Sequence, residues 1–273
     1  MIHKVIPCGG NGKNPADYLL KEREAYTPEI VMGSPDLTWE VIKNCSFKEA
    51  YTSVVLTCEE KISDEKGRGM INSYEDMAFV GIEKSDISRY WVKHQDHDRT
   101  EYHGIIANVH LETGRRWKHY VDKIDRPRFE SWQELTNIKM GLSSPKDPAK
   151  ARFEDMPART LPADKKELHR SIDQEICQGI SNKTIENRQD IANHLTNAGF
   201  EVKESKKFIA VRCDDGKNMR LKGFKYESGF SVAEFADRHA EKSQEYRGNL
   251  QERAREYQVN LERSITKATE RNR

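Results

Sequence analysis

Apolar and polar positions along the chain follow two rhythms, one of period two and one of period three to four, with turn-forming residues at each change. Residues 3–7 form a short apolar run ended by Gly9 and Gly10, which predicts a strand. Asn14-Pro15 and Ser34-Pro35 each set a capping side chain before a proline at the first helical position. They predict two helices, the first carrying Tyr18, Leu19 and Leu20, the second Trp39, Val41 and Ile42. Residues 51–58 (YTSVVLTC) are dense in β-branched side chains and predict a buried strand, and residues 66–80 a helix. Residues 87–94 (ISRYWVKH) and 101–111 predict two strands joined by the polar loop 95–100 (QDHDRT). After the turn Glu112-Thr113-Gly114, residues 115–121 predict a third strand, and 127–142 a helix with Trp132 and Leu135 on one side.

Residues 143–163 hold four prolines and little apolar content, so a linker is placed at 144–163, after a core of 1–143. A small module follows at 164–230. It has helices near 164–180 and 187–198, the second ended by Gly199, and short strands at 200–202, 208–212 and 219–221. Asp214-Asp215-Gly216 marks the hairpin between the last two. Residues 231–273 read as one long charged helix, with Ala254, Tyr257, Leu261, Ile265 and Ala268 spaced by three and four. Such a stripe serves a helix that folds back on the body, or a coiled-coil seam for a partner or second copy. The fold class expected is α+β, an antiparallel sheet palm flanked by helices, then a small α/β module and a long C-terminal helix.

Composition narrows the function. The apolar share is 36%, and the charged share of 33% nearly cancels to +1. That excludes a uniformly basic nucleic-acid coat but not a local basic face. No run of about 18 apolar residues exists to span a membrane, and the N-terminus lacks an apolar core of signal-peptide length. Five cysteines are scattered without metal-site spacing, as free thiols of a cytoplasmic protein would be.

The chemistry concentrates where five of nine histidines (94, 97, 103, 110 and 119) fall in one short stretch. If loop 95–100 closes a simple hairpin with His94 opposite Glu101, then Val92 lies opposite His103. Side chains alternate faces with period two, so His94, Glu101 and His103 share one face. Two imidazoles and a carboxylate suit manganese, zinc, iron or nickel, and the carboxylate makes magnesium more acceptable. Asp96 and Asp98 are near enough to fix an imidazole tautomer.

The stretch WVKHQDHDRTEYHGIIANVHLETGRRWKHYVDKIDRPRFESWQELTN resembles the metal motif of plasmid mobilisation relaxases of the MobA type, from ColE-like plasmids. That family has a histidine, a glutamate seven residues on and an asparagine two further. An I-x-N, a T-G-[KR] turn and a D-R-P-R-x-x-x-W-Q segment follow. Here these positions are His94, Glu101 and His103, then Ile106 and Asn108, Thr113-Gly114-Arg115, and Asp125-Arg126-Pro127-Arg128 before Trp132-Gln133. His103 departs from the asparagine; the wider relaxase class has histidine at all three positions, so the chain is similar to a hybrid of the two patterns. Residues 14–20 (NPADYLL) resemble the family's nucleophile motif, 51–56 its second motif, and segments at 187–190, 199–202 and 220–223 the module after the catalytic domain.

The resemblance implies a relaxase that nicks plasmid DNA, single-stranded or supercoiled, at the origin of transfer through a 5′-phosphotyrosyl intermediate. It puts the nucleophile at Tyr18, with Tyr26 the next candidate, and a divalent ion, magnesium or manganese, on His94, Glu101 and His103. Asp96 or a nearby histidine takes the phenol proton. Arg115, Arg116, Lys118, Arg126 and Arg128, interleaved with Trp117 and Tyr120, are candidates to grip a single strand, cations on phosphates and rings on bases. Implied partners are accessory mobilisation proteins, with the C-terminal helix as a candidate contact, and a type IV secretion coupling protein. Three alternatives stand beside this reading. One is a rolling-circle replication initiator with the same chemistry. Another is an iron oxygenase using His94, Asp96 and a distant histidine such as His169. The third is an origin-binding protein without catalysis.

Overall fold

The structure is a computed structural model that describes residues 1–9, 14–23, 26–96, 99–150, 157 and 159–272, with the backbone alone at Asp96 and Asn272. The chain divides into two compact units. The first is Met1–Lys146 with Asn249–Arg273, and the second is Asp147–Gly248.

The first unit is built on a five-stranded antiparallel sheet. Its strands are β1 (Ile2–Cys8), β2 (Glu29–Gly33), β3 (Tyr51–Cys58), β4 (Arg89–Asp96) and β5 (Arg99–Ala107), in the order β1-β3-β5-β4-β2. The β4–β5 register pairs His94 with Glu101 and Val92 with His103, the pairing expected from the sequence. The period of two then sorts side chains to two faces. One face carries Val54, Leu56, Trp91 and Tyr102 into a core closed by helices α3 (Asp64–Ala78) and α4 (Asp122–Met140). On the other, Tyr90, Val92 and Ile105 pack under α1 (Pro15–Leu19) and α2 (Pro35–Lys43) with Ala16, Leu19 and Ile42. Both prolines sit where expected. Asn14 Oδ1 accepts from the Ala16 N–H at 2.9 Å, and Ser34 caps α2. β2 was not anticipated; its five residues end in Gly33, whose φ of +79° suits glycine.

Three expectations change. Residues 115–121 do not form a strand. One bridge, Val109 with Arg116, is all the pairing there, because Trp117 and His119 turn into the core beside Phe79 and Tyr74. α4 begins at Asp122 and runs through Pro127. The Asp125 carboxylate accepts from the Val121 N–H at 2.7 Å and so starts the first turn upstream of the proline. The C-terminal helix is two helices, α7 (Val232–Gly248) and α8 (Leu250–Asn272), parted at Gly248 and Asn249, weak helix formers that cap well. The stripe on α8 packs within the first unit. Leu261 and Ala268 are buried, Ala254, Tyr257 and Ile265 lie against the main core, and Arg253 and Arg271 approach Glu134 and Asp125 on α4. The fold-back reading of the stripe therefore holds: its apolar positions are covered within the first unit and are not left as a seam for a partner or a second copy.

In the second unit, α5 (Ala163–Ser181) and α6 (Arg188–Asn197) share a core of isoleucines with a three-stranded antiparallel sheet. Its strands are β6 (Val202–Ser205), β7 (Phe208–Arg212) and β8 (Asn218–Lys222). A capping box between Asn187 and Asp190 opens α6. Among the described residues, no helix is long and apolar enough to cross a membrane.

Candidate active site

A cavity of about 280 Å³ opens on the sheet face that carries the hairpin histidines. Tyr18, Arg23, Tyr26, His94, Arg99, Glu101 and His103 line it. Sequence neighbours supply the hairpin residues, and α1 supplies Tyr18, 65% exposed. The link between them is a hydrogen bond: His94 Nε2 meets the carbonyl oxygen of Leu19, the residue after Tyr18, at 2.7 Å. The carbonyl can only accept, so the ring proton sits on Nε2 and Nδ1 keeps its lone pair. Burial lowers the His94 pKa, which favours the neutral imidazole a metal requires.

His103 lies beside His94, their ring centroids 4.5 Å apart. Its Nε2 is buried without a hydrogen-bond partner and stands 3.4 Å from Glu101 Oε2. That contact, against the cost of partial burial, holds the Glu101 carboxyl below the usual carboxylate range. Thr57 on β3 donates to the other Glu101 oxygen at 3.3 Å, and Arg99 lies 3.6 Å from it. A buried nitrogen without a partner beside a carboxylate and a second imidazole is a donor set that fits a divalent cation.

The set is loose. Among the described residues, one trio of donors lies mutually within 4.8 Å, and it is Asp86, His110 and Glu112 at the other end of the β4–β5 hairpin. His94 turns one nitrogen to Leu19, which leaves the expected triad open. Sequence spacing missed that second trio, because Asp86 joins it only through the pairing of chain ends, with the Leu111 N–H on the Asp86 carbonyl at 2.9 Å. The side chain of Asp96 lies outside the described residues, as do His97 and Asp98.

The basic residues divide. Arg115 is exposed, Arg116 and Lys118 share the Glu49 carboxylate, and Arg126 pairs with Asp122 at 2.5 Å. The exposed pairs, Arg116 with Glu49 and Arg126 with Asp122, are screened by solvent and leave their cations available to a phosphate. Arg128 departs from the expectation of a DNA-facing role. Arg128 is 1% exposed and held by Asp125 at 3.1 Å, while the half-buried Trp117 ring stands edge-on to Phe79 at the border of the core. Alternation cannot reveal this, since the segment holding Trp117 is not a strand and Arg128 lies on the inner face of α4. His169, the distant histidine of the oxygenase alternative, belongs to the core side of α5 in the second unit.

Comparison with known proteins adds to this geometry. The chain is 37% identical over 262 residues, 94% of its length, to the DNA relaxase MbeA of Escherichia coli, and it spans 50% of that protein. It is 34% identical over 165 residues, 60% of its length, to the cryptic plasmid protein C of Neisseria gonorrhoeae, and covers 80% of it. No protein-family model and no solved structure matches the chain.

Proposed function

Because the chain belongs to the plasmid mobilisation relaxases, we propose that it nicks one strand of plasmid DNA at the origin of transfer and stays joined to the 5′ end through Tyr18. One observation carries the reading: an exposed tyrosine and a face of two imidazoles and a carboxylate meet at one cavity, tied together by the His94–Leu19 hydrogen bond.

In the proposed step, Tyr18 Oη forms a bond to the scissile phosphorus while the bond from phosphorus to the 3′ oxygen breaks. The phenol proton goes to Asp96 or a histidine of the site, and the departing 3′ oxygen takes up a proton to become a hydroxyl. Bond energy is kept in the phosphotyrosine, so the strand can be rejoined. His94, Glu101 and His103 would hold a divalent ion, magnesium or manganese. When bound, that ion supplies charge to offset the build-up on the phosphate oxygens. His94 also fixes where α1 ends, and Thr57 orients Glu101. Arg115, Arg116, Lys118 and Arg126 would meet the backbone of the bound strand. The site of action would be the cytoplasm, with a coupling protein of a type IV secretion system receiving the covalent complex.

The test is incubation of the chain with supercoiled plasmid carrying its cognate origin of transfer, with and without chelator, followed by protease. Nicked circles that depend on both the origin and a divalent ion support the reading. Plasmid left supercoiled under every condition would refute it.

A further inference from the structure

The cavity holds a cation that the relaxase motifs do not include. Arg23 follows α1, and an antiparallel bridge joins it to Tyr26, with N–H to carbonyl contacts of 3.3 Å in both directions. The guanidinium lies near two rings, 4.9 Å from the centroid of Tyr18 and 5.9 Å from that of Tyr26. The nearness of Tyr18 raises the Arg23 pKa. Arg23 is exposed, and no carboxylate pairs with it among the described residues. Its neighbour in the cavity, Arg99, is instead 3.6 Å from Glu101. Arg23 is thus a permanent positive charge, aimed into the site and without an anionic partner.

We propose that Arg23 is a catalytic residue that holds the Tyr18 hydroxyl and takes a non-bridging oxygen of the scissile phosphate. The proposal rests on the reading of Tyr18 as nucleophile. A guanidinium presents a rigid fork of donors and stays protonated, so one side can meet the phenol oxygen while another meets the phosphate. Negative charge builds on both oxygens during attack, and a fixed cation between them favours that state over the ground state. It brings nucleophile and phosphorus to one place before reaction, which the long reach of an exposed tyrosine would not do alone. No proton passes through Arg23; it donates hydrogen bonds throughout.

The test uses the full chain as parent, Arg23→Ala and Arg23→Lys, on supercoiled plasmid bearing its cognate origin of transfer. Single-turnover adduct formation and binding of an origin single strand are measured separately. Arg23→Ala is expected to lose about 100-fold in rate, the scale for one transition-state donor, while binding changes less than threefold. Arg23→Lys should recover part of the rate. Guanidinium ion added to Arg23→Ala should do so too, where sodium at equal ionic strength should not. An Arg23→Ala rate within tenfold of the parent overturns the assignment, as does a larger loss that neither lysine nor guanidinium relieves. A parent chain that forms no adduct overturns the reading of Tyr18, and this assignment with it.

Discussion

Glu75→Ala tests how the strand bearing His94 is held. Glu75 is 1% exposed, and its carboxylate accepts two hydrogen bonds from Arg89, each 2.9 Å, and one of 3.0 Å from Trp91 Nε1. Arg89 and Trp91 are both on β4, so the carboxylate on α3 clamps that strand to the helix. Its removal strands the buried Trp91 N–H, at roughly 1–3 kcal/mol. It also leaves Arg89, 19% exposed, without a carboxylate, held by the carbonyls of Lys84 and Ile87 and the face of Phe79. Breaking a buried charge pair from one side costs about 3–5 kcal/mol in all. For a domain of some 150–250 residues, that is a fall in Tm of roughly 6–20 °C. The chain's four tryptophans all lie in the first unit, so intrinsic fluorescence during urea unfolding reports that unit. The expected result is a lower midpoint with an unchanged slope. A loss under about 1 kcal/mol, the size of a surface pair, would refute the clamp.

Other outcomes follow from the same packing and chemistry. Burial lowers the pKa of His3 to about 4 and of His119 to about 3, so the unfolded chain binds more protons than the folded one below about pH 6.5. Stability of the first unit should be level above that pH and fall toward pH 4, by up to about 2.7 kcal/mol per pH unit. Urea midpoints that stay constant from pH 7 to about 4.5 would contradict it. Calorimetric titration with manganese, nickel and magnesium should show His103→Ala losing affinity. In the same titrations, His103→Asn should retain binding and shift preference toward magnesium, since an amide oxygen is the harder donor. Equal affinities in all three chains would exclude His103 as a ligand. If Asp86→Ala abolished binding instead, the trio at the far end of the hairpin would hold the ion.

What the sequence disclosed follows from how local each feature is. The shared face of His94, Glu101 and His103 was legible because a short polar loop fixes the β4–β5 register and period two does the rest. The caps of α1 and α2 were legible because Asn14 and Ser34 act within three residues. The burial of Arg128 is not legible locally because it depends on Asp125, and so on how α4 meets the core. The break at Gly248 was visible in composition, but an unbroken run of charge hid it. Arg23 carries no motif, and its position comes from the bridge to Tyr26. The approach of Leu19 to His94 spans 75 residues, and without the family resemblance no local pattern would single out Tyr18.

The central claim is that Tyr18 becomes joined to DNA. The most direct measurement traps the adduct on origin DNA, digests the DNA with nuclease and the protein with trypsin, and locates the nucleotide by mass spectrometry. Cleavage after Lys13 and Lys21 isolates residues 14–21, in which Tyr18 is the single tyrosine, from the peptide that contains Tyr26. Tyr18 is expected to carry the nucleotide, and Tyr18→Phe to form no adduct although that variant still binds the origin. A nucleotide on Tyr26 or another residue, or a normal yield of adduct from Tyr18→Phe, would contradict it.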